Sequence, residues 1–150
     1  MTTIAAAVGE ARISKRGNTR MILSTRVAGL ISAGVLTGCA GFQAALALGA
    51  PWGAAAYGGS HRGQLPIRLR MVSAAVVPLY VGIAGSASGA WGSRDVRMVV
   101  TRAGAACLAI SVPLNLASPS LPERRIWPIV GAVGAITLWR AVPRQQRRRP

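Results

Sequence analysis

Acidic side chains are almost missing from this sequence: Glu10, Asp95 and Glu123 stand against eighteen lysines and arginines. Histidine occurs once, at His61, and cysteine twice, at Cys39 and Cys107, with no Cys-x-x-Cys spacing. Each scarcity removes a class of chemistry. One histidine and two separated cysteines supply no metal-ligand set. No GxGxxG, P-loop or HExxH occurs, so no cofactor is expected. The three acids fall in tails or loops, which counts against a proton-coupled exporter, because such proteins carry a carboxylate within the membrane. No catalytic set assembles either, since His61 and Asp95 fall on opposite sides of the membrane in the topology derived below.

Charge as a whole is also scarce. Only 14% of residues are charged while 51% are hydrophobic, and the mean hydropathy is +0.40. That is the composition of a membrane protein rather than of a soluble core wrapped in charge. The net charge of +15 invites a nucleic-acid reading. However, the arginines form no stripe with interleaved aromatics; they fall between long apolar runs and at the C-terminus. Nucleic acid is therefore not an expected partner.

What is present is long apolar runs. The longest, Val27 to Ser60, has thirty-four residues without a charged side chain. As one helix it would extend ~51 Å, against ~30 Å of bilayer hydrocarbon. Pro51 is expected to end it, because proline has no amide hydrogen and disfavours the helical region for the residue before it. The first span is thus placed at about 27–50, followed by an interfacial or partly re-entrant segment over 51–60. Further spans are expected at about 67–89, 98–117 and 126–142. The expected fold is an all-α integral membrane four-helix bundle over 23–142, between basic cytoplasmic tails at 1–22 and 143–150. Residues 1–20 read as a flexible tail, with room for a short interfacial helix around 3–13.

The fourth span is the shortest, with fourteen residues separating Arg125 from Arg140. It crosses only if Arg140 snorkels to the interface. Pro78 and Pro113 are expected to kink the second and third spans. Rows of small residues, with Gly34 and Gly38 the first GxxxG, would let helices approach closely. Leu36-Thr37-Gly38-Cys39 matches the site at which bacterial lipoproteins are cut and acylated. The apolar run continues eleven residues beyond Cys39, which speaks against it.

Orientation follows from the basic residues. With four spans both termini share a side. That side collects thirteen of the eighteen, five of them before Val27 and five from Arg140 onward. The other side holds Arg62, Arg68, Arg70, Arg124 and Arg125, so both termini are expected in the cytoplasm of a cell membrane. Trp52, Trp91, Trp127 and Trp139 fall at span ends, as an interfacial aromatic belt requires. Expected partners are the bilayer, anionic headgroups at the basic tails and, for any solute pathway, further copies of the chain.

The polar residues inside the spans lean toward one leaflet. Gln43 lies in the outer part of the first span, Tyr80 near the middle of the second, and Asn115 in the outer half of the third. Cys107, Ser111, Asn115 and Ser118 follow helical spacing and share a face. Gln43, Tyr80, Ser111, Asn115 and Ser118 form a candidate outer-leaflet pocket, with His61, Arg68, Arg70, Glu123 and Arg124 as its rim. The competing interpretation is that such residues bond across helices as packing glue, and that Glu123 pairs with Arg124 and Arg125 in a loop.

The stretch Gln43 to Gly53 (QAALALGAPWG), then Tyr57-Gly58-Gly59, then Leu65-Pro66 with Leu69-Arg70, resembles a group of small bacterial four-helix integral membrane proteins. Leu114-Asn115 and Ser120-Leu121-Pro122-Glu123-Arg124 match the later part of that pattern. The resemblance covers about 40–125 and implies the architecture, without a catalytic or ligand role. Three functional readings remain: a non-enzymatic structural, accessory or lipid-binding membrane component, an oligomeric small-solute permease or channel, and a membrane-embedded enzyme with an outer-leaflet polar site.

Overall fold

A computed structural model describes the backbone of residues 2–141 and the side chains of residues 24–141. The expected tail at 143–150 lies outside the described residues. Four α-helices follow one another: α1 (Thr2–Leu48), α2 (Ile67–Ser88), α3 (Arg94–Leu116) and α4 (Leu121–Arg140). Two short 3-10 turns, Gly53–Ala55 and Tyr57–Gly59, stand between α1 and α2. No strand occurs among the described residues.

The helix ends obey local chemistry more closely than hydropathy. Pro51 was expected to stop the first span, yet the stop is Gly49. With φ of +101° it adopts the left-handed conformation. Gly49 N then donates to Leu46 O at 3.1 Å and Ala50 N to Ala45 O at 2.9 Å, which is the paired geometry of a Schellman cap. Gly89 ends α2 in the same manner, with Gly89 N bonded to Ser86 O and Ala90 N to Gly85 O. α3 and α4 each begin several residues before the expected spans, at serine N-caps. Ser93 accepts from Val96 N and Ser120 from Glu123 N. Pro122, expected to belong to a helix-stopping loop, instead occupies the first turn of α4, where a missing amide hydrogen costs nothing.

Residues 1–20, expected to be a flexible tail, are helical from Thr2 and continuous with the first apolar run. α2 and α3 continue through Pro78 and Pro113. Cys39 is buried in the last third of α1, which continues beyond it to Leu48.

The helices close into a ring: α1 packs on α2, α2 on α3, α3 on α4 and α4 on α1. The tight pairs are α1 with α2 and α3 with α4, while α2 and α3 touch least. Their central core is built from Leu36, Ala84, Ala87, Ala105 and Leu138. Close approach comes from particular glycines. A Cβ at Gly134 would lie 2.7 Å from Leu108 Cδ1, and one at Gly104 would lie 3.0 Å from Ile83 Cγ2. The Gly34–Gly38 pair expected to face a neighbouring helix does not: nothing stands within 4 Å of a Cβ there.

Polarity is distributed inside out. Ser32, Ser73, Ser86, Thr101 and Glu123 are buried, whereas Leu48, Met71, Ile110 and Ile129 are among many exposed large apolar residues. Such a surface suits an apolar surrounding. Among the described residues, three helical stretches are long and apolar enough to cross a membrane: Ser24–Leu48, Ile67–Ser88 and Arg94–Leu116. α4, expected as the fourth span, has twenty residues but is not one of them, and it carries Glu123, Arg124, Arg125 and Arg140 in its terminal turns.

Candidate functional site

At the end of the bundle where α1 stops and α4 starts, the chain between α1 and α2 folds over the helices. Gly53 N bonds to Gly63 O at 3.0 Å, closing the segment on itself. A second core of Leu46, Ala56 and Leu65, backed by Phe42 and Leu69, anchors it from below. Tyr57 sits at φ of +52°, unusual for a residue with a Cβ, and its hydroxyl is 2.8 Å from buried Ser73 Oγ on α2. On the other side Trp127 Nε1 donates to Ala55 O at 2.7 Å, and Ser120 Oγ donates to Ala54 O. The 53–59 segment is therefore a roof fixed to α2 and α4. It takes the place expected for the interfacial or re-entrant piece.

Below the roof is a cavity of about 280 Å³. All four helices and the roof contribute to its wall. Leu36, Ile83, Gly104 and Leu108 form the apolar part, and Gln43, Tyr80, Ser111, Asn115, Tyr57 and Glu123 the polar part. Phe42 and Trp127 meet edge to face on the same wall, with ring centroids 4.7 Å apart. Cys39 and Cys107 both line the cavity, and both are free thiols.

Of the five pocket residues expected from sequence, the structure brings four onto this wall: Gln43, Tyr80, Ser111 and Asn115. Ser118, just beyond α3, acts one step away by donating its hydroxyl hydrogen to Glu123 Oε2. Pro78 and Pro113, expected to kink the second and third spans, do not line the cavity. Asn115 is not packing glue across helices; its Nδ2 donates to Ser111 O, one turn back on its own helix, at 2.8 Å. A polar side-chain pair does join two helices elsewhere, between Ser32 Oγ of α1 and Thr137 Oγ1 of α4 at 2.9 Å.

The expected rim divides. Arg68 and Arg124 are exposed. Arg70 is committed to structure, its Nε donating to Ala47 O at 2.9 Å in the last turn of α1, where a cation satisfies an orphan carbonyl and the helix dipole. His61 is half-buried with Nδ1 lacking a partner, and it does not line the cavity.

Glu123 belongs to neither rim nor loop. It stands in the first turn of α4, 5% exposed, on the cavity wall. It makes no ion pair with Arg124 or Arg125; its oxygens accept from Gly58 N at 2.9 Å and from Ser118 Oγ. Asp95 likewise lies in a helix, in the first turn of α3. The placement of all acids in tails or loops is thereby corrected, and with it the argument that no carboxylate enters the bundle.

The sequence signal for Glu123 was Ser120-Leu-Pro-Glu123, the pattern of a capping box. Half of that box forms, with Glu123 N donating to Ser120 Oγ at 3.4 Å. In the other half the glutamate would return to the Ser120 amide. Here Ser118 Oγ accepts from Ser120 N at 3.1 Å, which releases the carboxylate to face the cavity. No family model, curated protein or solved structure matches the chain.

Proposed function

We propose that this chain is a multi-pass protein of a bacterial cell membrane, both termini cytoplasmic, that works by binding a small molecule or a lipid headgroup under its roof rather than by catalysis. The observation supporting the reading is the cavity itself, where Gln43, Tyr80, Asn115 and Glu123 converge on one space otherwise walled by apolar and aromatic groups. A concave, mostly apolar site with a few convergent polar groups is the usual form of a ligand pocket, and about 280 Å³ is at the small end of their range. An ionisable residue carried inside a membrane bundle is a functional mark, because its burial costs stability. The inside-out surface and the three span-length helices support the membrane setting. The basic residue asymmetry supports the orientation. The resemblance read in the sequence over 40–125, to small bacterial four-helix membrane proteins, agrees with the membrane setting.

Native mass spectrometry of the full chain released from gentle detergent tests the proposal. We expect a bound small molecule or lipid on the wild-type protein. Cys107→Phe fills the cavity from an exposed wall position and is expected to lose that ligand while its thermal melt stays near wild type. Identical ligand content in both proteins would refute the cavity as a binding site.

A further inference from the structure

We infer that the cavity receives its ligand through a primary ammonium group, held between Glu123 and Gln43; this rests on the binding reading above. The first observation concerns charge. The chain carries eighteen lysines and arginines, yet no described basic residue lines the cavity, while one of its three acids does. The wall's single formal charge is negative.

The second observation is the hydrogen-bond inventory. Several donors on the wall are already used: Trp127 Nε1 on Ala55 O, Asn115 Nδ2 on Ser111 O, and Ser111 Oγ on Leu108 O. Acceptors remain open. Gln43 Oε1 is buried without any donor, a costly state for an amide oxygen. Each Glu123 oxygen accepts one hydrogen and keeps a further lone pair. An ammonium with three N–H donors supplies what these atoms lack. Phe42 and Tyr80 add aromatic rings to the wall, and aromatic rings attract cations to their faces. A quaternary ammonium would satisfy the charge and the rings but leave Gln43 Oε1 unmet, so the primary group is preferred. Exposed Arg124 and Arg125, next to Glu123 in sequence, suit a phosphate beyond the ammonium. The ammonium chemistry is shared by an aminophospholipid headgroup and by a soluble amine.

The experiment is native mass spectrometry of the full chain titrated with phosphatidylethanolamine, phosphatidylcholine or phosphatidylglycerol of identical acyl chains, and separately with ethanolamine alone. We expect phosphatidylethanolamine to be preferred by about tenfold or more, the scale of one charge-assisted hydrogen bond. Glu123→Gln and Gln43→Leu are each expected to erase that preference. Gln43 makes no described hydrogen bond, so Gln43→Leu carries the test if Glu123→Gln does not fold. Ethanolamine binding by itself identifies a soluble amine, and binding that requires acyl chains identifies a headgroup; either supports the ammonium site. Equal binding of all three lipids, still lost in Cys107→Phe, overturns the ammonium and leaves the cavity as a site. No ligand sensitive to Cys107→Phe overturns both.

Discussion

Asn115 and Ser32 are both polar residues within apolar helices, yet they do different things. The Asn115 amide turns back on its own helix, while Ser32 is fully buried and touches Thr137 on a neighbouring one. Asn115→Leu is therefore expected to leave the melting temperature in detergent close to wild type. Ser32→Ala is expected to cost about 1 kcal/mol, the usual scale of an interhelical polar contact. Thermal or denaturant melts of the two variants side by side check this, and a larger loss for Asn115→Leu would reverse the assignment. Helical spacing made Gln43, Tyr80, Ser111 and Asn115 legible, because depth within a span follows from counting residues. Glu123 was not legible by that route. Its position depended on reading Pro122 as the opening of a helix, and on Ser118 taking over half of a capping box from it.

At the scale of elements, small residues announce that a close approach is permitted without saying on which face it happens. Gly34 and Gly38 form the most visible motif of α1 and have open space beside them, while Gly134 is pressed against Leu108. Gly134→Val is expected to destabilise the bundle by about 1–3 kcal/mol through overpacking. Gly38→Ala is expected to leave the monomer's stability unchanged. Unfolding of both proteins in the same detergent measures the contrast. The ends of α1 and α2 depended similarly on a detail finer than hydropathy, the left-handed backbone of Gly49 and Gly89. Hydropathy placed these ends within two residues. It missed the starts of α3 and α4 by four to five, since their charged first turns look like loop to an average over apolarity.

Among the described residues several polar side chains are buried while many large apolar ones are exposed, a distribution that hydrophobic runs do foreshadow. The proposed orientation rests on the count of basic residues on the two sides, most of which stand at the ends of the chain. Reporters fused to each terminus are expected to be active only in the cytoplasm, and opposite readings from the two fusions would exclude an even number of crossings. The roof adds an order of events. Its 53–59 segment leaves the ribosome early, but Ser120, Glu123 and Trp127, which hold it to the far side, follow 65 to 72 residues after their partners. Because chains acquire structure from the N-terminus during synthesis, the enclosed space comes into being only as the last helix docks. A nascent polypeptide halted before that point has its roof tied to α1 and α2 alone, with the far wall still missing.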